Sequence, residues 1–113
     1  MLAKANRILR ADDYRRLVRR GRRMSTQHAI LYVSRSASGQ QPRFGFIVSK
    51  AVGVAVKRNL VRRRLKALSR DALEFVPAGT DVVIRALPGS AQVGWDTLRS
   101  EISEVLKGGE RRE

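Results

Sequence analysis

Between Tyr14 and Arg70 the chain contains no acidic residue, yet that stretch carries sixteen lysines and arginines. Any fold built from it holds a one-sided electric field, which self-repulsion opposes unless a ligand of opposite charge uses it. From Asp71 to Lys107 the balance reverses, with six acids against three bases. The partner to expect is therefore a polyanion, and nucleic acid is the first candidate.

Composition narrows the class further. At 113 residues the chain is long enough for one domain with a modest core and too short for two. A hydrophobic content of 42% makes the net charge of +14 the property of a folded protein and not of a disordered basic tail. The absence of cysteine excludes disulfides, thiolate metal sites and cysteine nucleophiles, and fits a reducing, cytoplasmic compartment. No apolar run is long enough to span a membrane. The arginine-rich segment Met1 to Met24 contains Asp12 and Asp13 and lacks a cleavable apolar run, which argues against a transit peptide. The single histidine, His28, has no cysteine or carboxylate beside it in sequence, so it reads as an ordinary strand or turn residue. No catalytic dyad, triad or ligand cluster assembles from spacing.

Periodicity divides the chain into elements. Asp12 to Arg20 reads as a short helix, with acids at its positive end, Tyr14, Leu17 and Val18 on one face and Gly21 to close it. His28 to Arg35 and Arg43 to Lys50 read as strands joined as a hairpin, the second placing Phe44, Phe46 and Val48 on one face and Arg43, Gly45, Ile47 and Ser49 on the other. From about Ala55 to Phe75 the period becomes helical, with Val54, Val61, Leu65, Leu68, Ala72 and Phe75 as a core-facing stripe. A buried-type strand over Thr80 to Leu87 and a last helix from Gly94 to Lys107, stopped by Gly108, complete the order α-β-β-α-β-α. The expected fold is a single α+β sandwich over residues 1–113, with Gly109 to Glu113 a frayed tail.

The densest constellation runs from Val48 to Lys66. A strand delivers Lys50 to a sheet edge, Gly53 permits a tight turn, and the next helix opens with Lys57, Arg58 and Asn59 at its positive end. Arg58, Asn59, Arg62, Arg63, Lys66 and Arg70 fall roughly opposite the apolar stripe. Such an arrangement can hold phosphate through the helix dipole, backbone N–H groups and guanidinium together. A merely solvated helix normally intersperses acidic partners one turn away, and here none occurs before Asp71.

These residues resemble the protein subunit of bacterial ribonuclease P. Gly45-Phe-Ile-Val-Ser-Lys50, Val52-Gly53, Ala55-Val56, Arg58-Asn59 and Arg62-Arg63-Arg64 are similar to the family's G-x-x-V-S-K strand, glycine turn and R-N-R helix. Asn6-Arg7-Ile8-Leu9, Asp13-Tyr14 and Arg20-Gly21 extend the likeness upstream. The resemblance implies a left-handed β-α-β crossover and a subunit that is not catalytic alone. In the family the RNA cleaves the 5′ leader from precursor tRNA with RNA-bound Mg²⁺, and the protein raises substrate affinity and lowers the Mg²⁺ requirement. No obligate protein partner is implied.

Carried over residue by residue, the contact with the catalytic RNA falls on Lys50, Lys57, Arg58, Asn59, Arg62, Arg63 and Lys66. The leader-binding cleft falls on Tyr14, Val18, Tyr32, Phe44, Ile47 and Ser49. Two positions depart from the family pattern. Leu60 replaces the last arginine of R-N-R, with Arg62 to Arg64 in place to compensate. Val18 stands where an aromatic is often found, which leaves Tyr14 and Tyr32 as aromatic platforms, although both are equally suited to the core. Composition by itself also admits another basic RNA-binding module such as a ribosomal protein. A membrane-surface protein would need an exposed apolar face that the core here requires, and a stand-alone nuclease would need a site that spacing does not supply.

Overall fold

The computed structural model describes residues 2–36 and 38–111. Four strands form one sheet in the order β1-β2-β4-β3, where β1 is Arg22–Ser25, β2 Ala29–Arg35, β3 Arg43–Ile47 and β4 Thr80–Ala86. Three helices accompany them: α1 (Ala11–Arg20), α2 (Ala55–Ala72) and α3 (Trp95–Arg111). Two short 3-10 turns, Lys4–Asn6 and Lys50–Val52, precede α1 and α2. The order is α-β-β-β-α-β-α, one strand more than expected. β1 escapes sequence reading because Arg22-Arg23-Met24-Ser25 lies at the sheet edge, largely exposed, with no alternation to announce it.

The expected hairpin between Ala29–Arg35 and Arg43–Ile47 does not form. β2 pairs antiparallel with β1 on one side and with β4 on the other, while β3 pairs parallel with β4. The reason lies in β4, where Val82, Val83 and Ile84 are all fully buried. A strand apolar on both faces belongs at the sheet centre, covered above and below. α2 is thus the crossover of a β3-α2-β4 unit, the β-α-β connection that the family resemblance implies.

The sheet separates two clusters. On one face Leu31, Phe44, Val82 and Ile84 pack with Val61, Leu65 and Leu68 of α2 and Leu98 and Ile102 of α3. On the other, Tyr32 and Val83 pack with Leu17 of α1 and Ile8 of the N-terminal segment. The core-facing stripe of α2 holds from Val61 to Ala72 and is continued by Phe75, which packs against the core from beyond the helix end, but it fails at Val54. Val54 is an exposed N-cap residue, and Phe75 lies in a turn beyond the helix, half-buried, with Lys107 Nζ 4.9 Å from its ring centroid. α3 does not stop at Gly108 but continues to Arg111, since a glycine in a helix costs only about 1 kcal/mol. Of the expected frayed tail, residues 112 and 113 lie outside the described residues.

Candidate nucleic-acid interface

β3 is the edge strand opposite β1, and an open edge would expose unpaired backbone groups. The chain covers it from the N-terminal side. Ile8 N–H donates to the Phe44 carbonyl at 2.9 Å, and Phe46 N–H donates to the Tyr14 hydroxyl at 3.1 Å. Gly45 makes the second contact possible, because a Cβ there would lie 2.7 Å from the Tyr14 ring. Tyr14 is therefore both a brace for the edge strand and a wall of what lies beside it. Gly45→Ala is expected to displace the ring and lower stability by about 1–3 kcal/mol, as overpacking does. Thermal denaturation checks this, and an unchanged melting temperature would contradict the close approach.

Beside that brace, Tyr14, Arg15, Val18, Arg19 and Ile47 line an open groove of about 310 Å³. Its floor is apolar and its rim cationic. Val18 is 38% exposed. Ser49 is exposed just past β3, where its hydroxyl accepts a hydrogen bond from Ala51 N–H and caps the 3-10 turn. Two of the expected cleft residues are placed elsewhere. Phe44 is fully buried on the opposite face of the sheet, against α2, so it does not reach the groove. Tyr32 lies on the groove's side but is only 5% exposed beneath α1, which leaves its ring no open face for stacking.

The second surface is the solvent face of α2. Lys57, Asn59 and Arg63 are exposed, while Arg58, Arg62 and Lys66 are half-exposed. Arg58 Nε donates to the Gly53 carbonyl at 3.2 Å. Arg62 donates to Asn59 Oδ1 at 3.1 Å and to the Val48 carbonyl at 3.4 Å. These guanidinium groups staple the turn after β3 to the helix, and Gly53 at φ 150° supplies the backbone conformation which that turn requires. Arg64 does not join this face, since its guanidinium donates to the Val93 carbonyl ahead of α3 at 3.0 Å. Among the described residues, none of Lys50, Lys57, Arg58, Arg62, Arg63 and Lys66 meets a carboxylate.

Elsewhere the acid-free stretch is partly neutralised by residues outside it. Asp81 of β4 binds Arg43 through two hydrogen bonds at 3.0 and 2.8 Å, and Arg16 approaches the same carboxylate at 3.4 Å. Asp13 lies 3.3 Å from Arg16 and 3.6 Å from Arg43, and Asp12 pairs with Arg15. These pairs quench Arg15, Arg16 and Arg43, whereas the cations of α2 and the turn before it keep their charge unpaired by carboxylates among the described residues. His28 also has a partner that sequence neighbours do not reveal: its Nδ1 lies 2.6 Å from Glu101 Oε2. Burial alone would push Glu101 up, but hydrogen bonds from His28 and the Thr26 hydroxyl hold its carboxyl below the usual range. That pair joins the β1–β2 turn to α3, away from both surfaces. Among the described residues, no three His, Asp or Glu side chains converge to hold a metal ion, and no helix is long and apolar enough to cross a membrane.

Fold and surface together define a small basic RNA-binding protein of the α+β class. The sequence model of the family described as Ribonuclease P matches residues 2–109. The chain is 51% identical over 106 residues to the ribonuclease P protein component of Clavibacter michiganensis subsp. michiganensis, covering 94% of each. It is 43% identical over 112 residues to that of Rhodococcus jostii, covering 94% of this chain and 90% of the relative. Its backbone matches the RNase P protein of Staphylococcus aureus at TM-score 0.83 with 24% identity, over 94% of this chain and 96% of the other. The Thermotoga maritima RNase P protein matches at TM-score 0.78 with 21% identity, over 88% and 94%, which likewise speaks to fold. The chain belongs to the ribonuclease P protein family. Its function is that of a protein component of the tRNA-processing enzyme ribonuclease P, and its partner is the ribonuclease P RNA. Nothing favours the ribosomal alternative.

Proposed function

We propose that the two surfaces divide the work of the subunit. The solvent face of α2, with Lys50, holds the catalytic RNA. The groove beside α1 takes the single-stranded 5′ leader of precursor tRNA on Tyr14, Val18 and Ile47, with Arg15 and Arg19 at its rim. Tyr32 supports the groove from below, Phe44 supports the sheet from behind, and Ser49 stands exposed between the two surfaces. The cleavage chemistry and its Mg²⁺ are assigned to the RNA, and the setting to the cytoplasm without an obligate protein partner.

The observation that carries this reading is the continuity of the two surfaces. Ile47 lines the groove, the Val48 carbonyl accepts from Arg62 of α2, and Ser49 and Lys50 open the 3-10 turn that leads to that helix. A leader held in the groove and an RNA held on α2 would therefore keep a fixed relation, which is positioning catalysis in its simplest form.

Substitution at Tyr14 tests the leader assignment. Tyr14→Ala is expected to weaken precursor tRNA binding to the assembled enzyme by roughly 1–3 kcal/mol, one lost base stack, with mature tRNA unaffected. Tyr14→Phe keeps the stacking ring and loses the hydrogen bond from Phe46 N–H, so leader affinity should persist while stability falls by about 1 kcal/mol. Equal losses for precursor and mature tRNA in Tyr14→Ala would make the residue purely structural.

A further inference from the structure

At the start of α2 the chain exposes aliphatic surface where helix chemistry would prefer polar groups. Val54 is 69% and Val56 78% exposed, the two highest values among the large hydrophobic residues of the described chain. Val54 is also the N-cap residue, and its side chain makes no capping hydrogen bond. Serine, asparagine or aspartate would satisfy a free N–H there, so valine is the poorer choice for helix stability. The core does not need either valine, since the buried face of α2 begins at Val61. Where a local rule is broken without a packing reason, a function is the usual compensation.

The surroundings identify the occupant. Lys50, Lys57 and Arg58 flank the two valines in sequence, and none of them meets a carboxylate among the described residues. A second copy of the chain seated here would bring like charges together, and an apolar peptide would leave those cations unused. RNA uses both, because its nucleosides present apolar faces wherever they leave the helical stack, with phosphates on either side.

We propose that Val54 and Val56 form an apolar contact with an unstacked nucleoside of the catalytic RNA, enclosed by phosphate contacts from Lys50, Lys57 and Arg58. The inference rests on the reading of α2 as the face for that RNA. It adds a distinct physical role. Phosphate contacts weaken with salt and read no local structure, whereas apolar contact is nearly indifferent to salt and occurs only where a nucleoside is splayed out. The valines thus select the place on the RNA at which the cations bind.

The test is the affinity of the full chain for the catalytic RNA across a KCl series, for wild type, Val54→Ser, Val56→Ser and Lys57→Ala, with melting and sedimentation of each free protein. Val56→Ser is expected to weaken binding roughly tenfold at every salt concentration and leave the slope unchanged, the effect of losing one buried aliphatic side chain. Val54→Ser should weaken binding while its melting temperature holds or rises, because serine caps the helix. Lys57→Ala should instead lower the salt slope by about one unit. Wild-type affinity in both valine variants, with the Lys57→Ala slope still reduced, would overturn this inference and leave α2 as the RNA face. Unchanged binding in all three would overturn both. A valine variant that dissociates a dimer of the free protein without touching RNA affinity would assign the patch to a second copy and equally overturn the proposal.

Discussion

Replacing Lys57, Arg62 and Arg63 together by alanine is expected to weaken binding to the catalytic RNA on the order of a thousand-fold. Each lost charge-assisted hydrogen bond to phosphate is worth about 1.5–3 kcal/mol, and the slope of log affinity against log salt should fall by about two to three units. The magnitude follows because, among the described residues, none of these three cations meets a carboxylate, so their charge is not neutralised within the protein. Lys57 and Arg63 are exposed, and Arg62 contributes one ordinary hydrogen bond at 3.1 Å, to its helix neighbour Asn59, and one long one at 3.4 Å, so the fold should survive. A filter-binding titration at several salt concentrations, with a thermal melt of the free protein, measures both quantities. A loss of affinity with an unchanged slope would place the phosphate contacts elsewhere.

Phe44→Ala is expected to fail for a different reason. The side chain is fully buried between the sheet and α2, and truncating a buried phenylalanine costs about 3–5 kcal/mol through lost transfer energy and the cavity left behind. For a domain of this size the melting temperature should drop by roughly 15 °C or more. Binding of precursor and mature tRNA should then decline together, as the folded fraction does. If Phe44 were a leader contact, stability would hold and the loss would be confined to precursor tRNA. Paired melting and binding curves separate the two outcomes.

That contrast shows what could be read from the chain and what could not. Strand alternation alone puts Phe44 and Ile47 on opposite faces of β3, so the two could not both line one cleft. The family resemblance placed them together, and the period of two decides against it. Val61, Leu65 and Leu68 against Arg62, Arg63 and Lys66 were legible for the same kind of reason, since one helical period sorts core from solvent within eighteen residues. The groove residues Tyr14 and Val18 followed from motif order along α1.

Contacts between residues far apart in the chain were not legible. Arg43 meets Asp81 across thirty-eight residues, Arg16 meets Asp81 across sixty-five and His28 meets Glu101 across seventy-three. No local pattern encodes such pairs: the Asp81 contacts exist only once β4 enters between β2 and β3, and the His28–Glu101 contact only once α3 packs against the β1–β2 turn. The same insertion replaced the expected hairpin. An acid-free stretch therefore overstated how evenly the cations would be available, and only the structure showed that Asp13 and Asp81 quench Arg16 and Arg43 while α2 keeps its charge.

The central claim is that this chain positions and screens while the RNA cleaves. Cations on α2 and at the rim of the groove can replace condensed counterions on two strands at once, and abundant divalent ions supply the same screening. Precursor-tRNA cleavage by the cognate RNA, measured with and without the chain across a Mg²⁺ titration, tests this most directly. The account predicts that the protein is needed most at low Mg²⁺, progressively less as Mg²⁺ rises, and that the RNA alone is active at the high end. Protein dependence that stays constant across the titration, or cleavage by the protein without RNA, would contradict it.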